Sequence, residues 1–231
     1  TEYEKIDEES KPLNVYVSGP ETVNKRKMYN YDYIGQLTMM YSTKAFGLIQ
    51  IKDIKKTEKT MITLKSAREI EAMDRAGDFL ASIHIGLRDL LKPGVDMWEV
   101  EEYVRRRCKE ENVLPLQIGV EGSIMDYPYA TCCGLNDEVA HAFPRHYILK
   151  DGDLLKVDMV LSEPIDKSVL DVSKLDFDNV AQVKKYTESY SGGLADSCWA
   201  YAIGTPSDEV KKLMEVTREA MYLGIEQAVV G

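Results

Sequence analysis

Two aspartates interrupt segments that otherwise read as apolar strands. Asp158 lies within residues 154–161, and Asp196 lies within residues 195–204. An ionised carboxylate is costly to bury unless a cation, a hydrogen-bond donor or a metal compensates its charge, so each side chain either points to solvent or has a partner. Adjacent strands can present two carboxylates from one face, and such a pair can bridge two divalent ions. A metal is therefore one candidate partner, although single aspartates in strands more often mark an edge, a bulge or a cap.

Histidine is the second residue type that could do chemistry here. His141 lies in the segment 136–144, between an apparent strand and a turn. Two roles are open for its ring: it forms a hydrogen bond with a backbone carbonyl, or it donates a hydrogen bond to a bound substrate. His84 occurs at helical spacing, which predicts a structural residue. His146 is expected in an exposed loop.

The four cysteines do not form a recognisable zinc or disulfide pattern. Their spacing, at positions 108, 132, 133 and 198, matches no Cys-x-x-Cys motif and no small secreted framework. Neighbouring cysteines such as Cys132 and Cys133 pair only with backbone distortion, so two reduced thiols lining a core or pocket are expected. This cysteine usage favours a reducing compartment, and the cytoplasm is the expected location.

The elements that must position these residues can be predicted from local signals. Ser66 followed by Glu69 is a capping box that predicts a helix, and Lys92-Pro93-Gly94 ends it. A second helix is predicted to start at Asp96 and to run through Glu111. Short extended pieces are expected over residues 114–143.

The second half of the chain continues with strands. Residues 154–161 and 195–204 are predicted strands, and a final helix is predicted from a Thr205 N-cap, with Pro206 at its first position, to about residue 230. Residues 163–190 are polar and acidic and resemble an insertion, with a short helix predicted over 180–186. Helices followed by a cluster of strands and another helix indicate an α+β fold.

Composition excludes several function classes. The 231 residues are 44% hydrophobic and carry a formal net charge of −10, which argues against binding to a phosphate backbone. No apolar run approaches the ~20 residues that a membrane span needs, and the N-terminus has no secretory signal pattern. Residues 1–60 resemble no family that we recognise. Met61 resembles an ordinary translation start, so the preceding residues form an unassigned extension.

Three motifs in this order carry a resemblance to a known family. The segments 136–144, 152–158 and 196–204 resemble type I methionine aminopeptidases, and the resemblance extends from residue 61 to residue 231. The segment 163–190 is similar to the insertion found between the two aspartates in one bacterial subclass. The resemblance implies the pita-bread fold, of which this chain would form the N-terminal half.

The resemblance also implies roles for individual residues. Asp158 and Asp196 match the first two ligands of a dinuclear metal centre, and His141 matches a histidine that contacts the substrate near the scissile amide. Tyr127 and Cys132 fall where these enzymes line the pocket for the methionine side chain. Two divalent ions, of cobalt, manganese, iron or zinc, are the implied cofactors.

The implied activity is removal of the initiator methionine from new polypeptides. The implied partners are nascent N-termini, with transient proximity to the ribosome and no direct contact with nucleic acid or membrane. The family's remaining ligands, one histidine and two glutamates, lie beyond residue 231, so activity of this chain alone is expected to be impaired. Two alternatives stay open: a proline-directed or creatine-cleaving relative, and a non-catalytic fragment or binding module.

Overall fold

The structure is a computed structural model that describes residues 14–17, 47–50, 64–122 and 124–229. The chain divides between Leu64 and Lys65 into two units. In the first unit, strand β1 (Asn14–Val17) pairs antiparallel with strand β2 (Gly47–Gln50). The expected boundary between residues 60 and 61 lies outside the described residues, as does most of the extension 1–60.

The second unit opens with a long helix, α1 (Ala67–Leu90), which begins where its sequence signal predicts. The Ser66 side chain accepts a hydrogen bond from the Glu69 backbone N–H, and the Glu69 carboxylate accepts one from the Ser66 backbone N–H, so the capping box is confirmed. One face of α1 is buried, and Ile83 and Leu87 are fully enclosed. This face supplies much of the core behind the sheet.

Helix α2 (Trp98–Glu110) has its N-cap at Met97, one residue after Asp96, where the start was predicted. The Asp96 carboxylate still accepts from the Trp98 backbone N–H at the start of the helix, and it also accepts from the Tyr147 N–H, which ties the start of α2 to a distant segment. The inner face of α2 buries Val100, Val104 and Cys108, together with one carboxylate, that of Glu101.

Three antiparallel strands form the sheet of this unit: β3 (Cys132–Leu135), β4 (Leu154–Ser162) and β5 (Leu194–Ala202), in the order β3-β4-β5. In β4, Val157, Met159 and Leu161 are buried, whereas Asp158 between them is only partly buried. Helix α1 packs against β5. The sheet therefore has one face in the core and one face open to ligands.

The segment predicted as an insertion contains a 3₁₀ turn (Val172–Lys174) and helix α3 (Val180–Thr187). Helix α3 contacts the loop before β3: the Thr187 hydroxyl donates to the Ile118 carbonyl at 3.1 Å, and the Lys184 ammonium lies 2.8 Å from the Asp126 carboxylate. The insertion is thus packed onto the domain at that loop.

Helix α4 (Asp208–Glu226) ends the described chain. Its N-cap is Ser207, whose hydroxyl accepts from the Val210 backbone N–H, and not Thr205 as predicted, so Pro206 precedes the helix. No α4 residue is buried. The α+β class is confirmed. None of the described helices combines the length and the apolar character that crossing a bilayer requires.

Candidate functional site

Asp158 and Asp196 lie on the same face of the sheet. In the β4–β5 register Asp158 is opposite Cys198, and Asp196 is opposite Val160. Because side chains alternate along a strand, the two aspartates are diagonal neighbours that project to one side. Their carboxyl groups are close enough to act as hydrogen-bonding neighbours. The structure therefore brings together the two carboxylates that the sequence singled out.

Burial and the proximity of Asp196 act together on the carboxyl group of Asp158. Burial raises the pKa of Asp158 above its usual range, and the nearby charge of Asp196 raises it further, while His141 acts in the opposite direction. Among the described residues, neither aspartate forms a salt bridge. The neighbouring Lys156 ammonium donates instead to the backbone carbonyls of Asn136 and Glu138. Asp196 is exposed and Asp158 is partly buried, so the pair is accessible both to solvent and to a divalent cation.

His141 lies next to this pair on the loop that follows β3. Its backbone has φ 57°, in the left-handed region, and its side chain is exposed. The loop is held to β3 because the Cys133 backbone N–H donates to the Ala142 carbonyl at 2.8 Å. His141 is close enough to Asp158 to lower the pKa of that carboxyl. An exposed imidazole beside two carboxylates can contact a ligand that reaches them.

Cys132 and Tyr127 border the aspartate pair on the β3 side. Cys132 is directly opposite Asp158 in the β3–β4 register, and the Gln117 side-chain amide donates to its Sγ at 3.0 Å. The Tyr127 hydroxyl is 3.0 Å from the Thr131 carbonyl, and its ring meets that of Phe143 edge-on at 5.2 Å. This arrangement forms an aromatic and sulfur-lined wall beside the carboxylates, which suits a flexible apolar side chain.

The two carboxylates fit part of a metal site. Hard and borderline divalent ions take oxygen ligands, and a same-face carboxylate pair without a cationic partner is a suitable start for such a site. In the part of the chain that the structure describes, no group of three or more His, Cys, Asp or Glu side chains could hold an ion. Asp158 and Asp196 are thus a pair of carboxylates and not a complete metal site among the described residues.

All four cysteines are free thiols. Burial raises the pKa of Cys133 to about 12 and that of Cys198 to about 11, so neither is an activated nucleophile. Cys198, on β5, is the exposed one, and it lies directly opposite Asp158 of β4. The Cys132–Cys133 pair forms no disulfide, in keeping with the expectation of reduced thiols.

The sequence did not single out Glu101, whose carboxylate holds the segment just before Cys132. Glu101 is fully buried, and it accepts hydrogen bonds from the Ala130 backbone N–H at 2.8 Å and from the Thr131 hydroxyl at 2.6 Å. Its charge is paired with Arg105 at 2.6 Å. The signal was available, because Glu101 falls on the same helical face as Val104 and Cys108, where a charge needs a partner.

Comparison with protein families identifies residues 71–162 as a match to metallopeptidase family M24. Two curated relatives are methionine aminopeptidase 1 of Bacillus subtilis, 31% identical, and a methionine aminopeptidase of Aquifex aeolicus, 30% identical. These alignments cover 73% and 74% of this chain but 55% and 57% of the two relatives. The chain thus spans little more than half of their length.

Solved structures give the same result. A methionine aminopeptidase from Streptococci is 86% identical over 74% of this chain and 60% of its own, with a TM-score of 0.69. A methionine aminopeptidase from Thermotoga maritima is 29% identical, with a TM-score of 0.58, over 74% of this chain and 57% of its own. The expected pita-bread fold is confirmed by these neighbours, of which the chain represents a part.

Proposed function

We propose that this chain, whose residues 71–162 match metallopeptidase family M24, contributes the first part of a metal-dependent methionine aminopeptidase. In this proposal the substrate is the N-terminus of a new polypeptide, and the bond cleaved is the one that follows its initiator methionine. The observation that carries the proposal is the same-face pair Asp158 and Asp196, which forms no salt bridge among the described residues.

Each site residue has a role that its position supports. Asp158 and Asp196 would hold divalent ions of cobalt, manganese, iron or zinc, and bound ions supply an acidified water and a polarised carbonyl. His141, exposed beside Asp158, is positioned to donate a hydrogen bond near the scissile amide. Tyr127 and Cys132 would contact the methionine side chain through an aromatic ring and a neutral thiol.

The described residues also support a limit on activity. Two carboxylates supply only part of the ligand shell that two divalent ions require, and the described residues contain no larger group of ligands. We therefore expect the 231-residue chain to bind metal weakly and to release methionine slowly. The rate should rise with metal concentration, because occupancy of a weak site is far from saturation.

The first test measures methionine release from a Met-Ala-Ser peptide as Mn²⁺ is raised, alongside a peptide with proline in the second position. The Asp158→Asn and Asp196→Asn variants should lose the metal-dependent rate. Asp137→Asn is the matched control, because Asp137 is an exposed carboxylate in the same part of the domain, and it should behave as the parent.

A second measurement reads metal binding without turnover. Mn²⁺ should broaden the backbone amide NMR signals around Asp158 and Asp196 in the parent and in Asp137→Asn, and much less in Asp158→Asn. Equal broadening in all three proteins contradicts the metal site. Cleavage of the proline-containing peptide in preference to the alanine-containing one contradicts the substrate assignment, and fast turnover at micromolar metal contradicts the limit on activity.

A further inference from the structure

His84 on helix α1 contacts three successive helix-facing residues of β5. Its ring is fully buried. Its Nε2 lies 3.0 Å from the Ser197 hydroxyl, its Nδ1 lies 2.7 Å from the Tyr201 hydroxyl, and its ring stacks on the Trp199 indole at 4.7 Å with an interplanar angle of 2°. One side chain of α1 thus holds residues 197, 199 and 201 of the strand.

Both ring nitrogens of this imidazole have hydroxyl partners on β5. The Tyr201 hydroxyl pairs with Nδ1 and also lies 3.1 Å from the His84 backbone carbonyl. The Ser197 hydroxyl pairs with Nε2. Burial lowers the pKa of His84 to about 4, which agrees with a neutral ring. Every polar atom of the imidazole has a partner, and an aliphatic residue would remove the ring nitrogens that pair with the Ser197 and Tyr201 hydroxyls.

A second α1 side chain reinforces the same contact. Arg88 lies one helical turn after His84, and its guanidinium carbon is 5.0 Å from the centre of the Trp199 ring. The indole is therefore in contact with both His84 and Arg88. This fixes Trp199, which is three residues after Asp196 and on the opposite face of the strand.

The position of β5 makes these contacts important for Asp196. Within the described residues, β5 pairs only with β4, so its other edge has no strand partner there. Because side chains alternate, fixing Ser197, Trp199 and Tyr201 toward α1 turns Asp196 and Cys198 toward the opposite face. The location of the Asp196 carboxylate beside Asp158 therefore depends on how firmly the helix-facing residues are held.

We propose that His84 is a positioning residue that keeps Asp196 beside Asp158 through its hydrogen bond to Ser197 and its stacking on Trp199. The proposal rests on the proposed function, because it concerns the same carboxylate pair. It extends that function to a side chain on the far face of the sheet. A residue that only fills space could be replaced by leucine without effect on the aspartates, whereas a positioning residue could not.

The test compares His84→Leu and Ser197→Ala with Ile83→Val, a variant of the adjacent, fully buried residue of α1. Ile83→Val lowers core packing without touching the hydrogen bonds of His84. Amide hydrogen exchange is followed along β5. We expect amide exchange at Asp196 and Cys198 to be about tenfold faster in His84→Leu and Ser197→Ala than in Ile83→Val. The exchange rates are compared after correction for differences in global stability. Ser197→Thr keeps the hydroxyl and should restore slow exchange.

Mn²⁺ broadening of the amide signals near Asp158 supplies the functional readout. The dissociation constant for Mn²⁺ should rise about fivefold or more in His84→Leu and Ser197→Ala and stay at the parent value in Ile83→Val. Unchanged exchange and unchanged Mn²⁺ affinity in both polar variants would overturn the proposal, as would equal effects in Ile83→Val. If the parent binds no Mn²⁺, the proposed function fails, and hydrogen exchange alone then decides whether His84 positions Asp196. If His84→Leu does not fold, the Ser197 pair carries the test.

Discussion

At the scale of single residues, the buried imidazole of His84 makes stability depend on pH. Its pKa is lowered to about 4 in the folded chain, against 6.5 for a free histidine. Between these values the unfolded chain binds a proton that the folded chain excludes, so stability is complete above about pH 6.5 and falls as the pH drops toward 4. The neutral, fully hydrogen-bonded ring is thus an acid-sensitive point of the core.

We predict that the free energy of unfolding falls by about 2 kcal/mol between pH 7 and pH 5 from this group alone. Urea unfolding at both pH values measures it. His84→Leu removes the titrating group, so its stability should change much less over the same interval. A parent and a variant with the same pH dependence would show that His84 is not protonated on unfolding in this range.

Glu101 is the second residue whose environment predicts a large effect. Its carboxylate accepts from Arg105, from the Ala130 backbone N–H and from the Thr131 hydroxyl, and it is fully buried. Glu101→Gln removes the negative charge that balances the Arg105 guanidinium. The new side-chain amide N–H groups would also face the donors that the carboxylate now accepts from. The free energy of unfolding should fall by about 3 kcal/mol in urea titrations.

The neighbouring Glu102 provides the control for that substitution. It lies on the same helix and is exposed. Glu102→Gln should therefore change stability by less than about 0.5 kcal/mol. Equal effects of the two substitutions would mean that burial and pairing of Glu101 contribute nothing measurable.

At the scale of elements, the contact between helix α3 and the loop before β3 requires a glycine. Gly119 has φ +91°, and a Cβ at this position would lie 2.7 Å from the Lys184 Cβ and 2.9 Å from its Cα. An alanine here therefore meets both a strained backbone and a collision with α3. The insertion packs this closely only because residue 119 has no side chain.

Gly119→Ala should lower the free energy of unfolding by about 2 kcal/mol and loosen α3, which hydrogen exchange over Val180–Thr187 would detect. Gly77→Ala is the matched control, because a Cβ at position 77 of α1 meets nothing within 4 Å. That substitution should stabilise the chain by about 0.5–1 kcal/mol. Comparable destabilisation by both alanines would contradict this account of the α3 contact.

Local signals predicted the elements better than their exact ends or their partners. The capping box at Ser66 was informative because two residues three positions apart complete it. The aspartates in apolar strands were informative because their neighbours along the strand offer the carboxylate no partner. The predicted starts of α2 and α4 lie one and two residues before the observed N-caps, Met97 and Ser207, because neighbouring residues with capping side chains are not distinguished by a local pattern. The His84 contacts join residues 113 and 117 positions apart, which no local pattern can predict.

At the scale of the whole molecule, the second unit has a well-buried core and one helix outside it. Helix α4 contributes no buried residue, and it exposes Leu213, Met221, Leu223 and Ile225. Val210 and Met214 are its partly buried residues, so this 19-residue helix gains little from tertiary packing, which supplies most helical stability in proteins. Its persistence in this chain therefore depends on intrinsic helix propensity and on the Ser207 cap.

Amide exchange should reveal this difference directly. We predict that amides of α4 exchange at least about a hundredfold faster than those of the buried face of α1. Ser207→Ala should accelerate α4 exchange further, because it removes the acceptor for the Val210 N–H. Equal protection of α1 and α4 would mean that α4 is covered in solution, for instance by self-association, which sedimentation would detect.

The alternation along β5 limits how the length of this gene segment can vary. Deleting Ser197 would move Asp196 into the position that faces His84, bury its charge and leave Ala195 opposite Val160, so that no carboxylate would lie diagonal to Asp158. Deleting Lys167, which is exposed in the loop after β4, changes no strand. Single-codon losses should therefore accumulate in the loop between the two aspartates, and the strand that bears Asp196 should retain a constant number of codons.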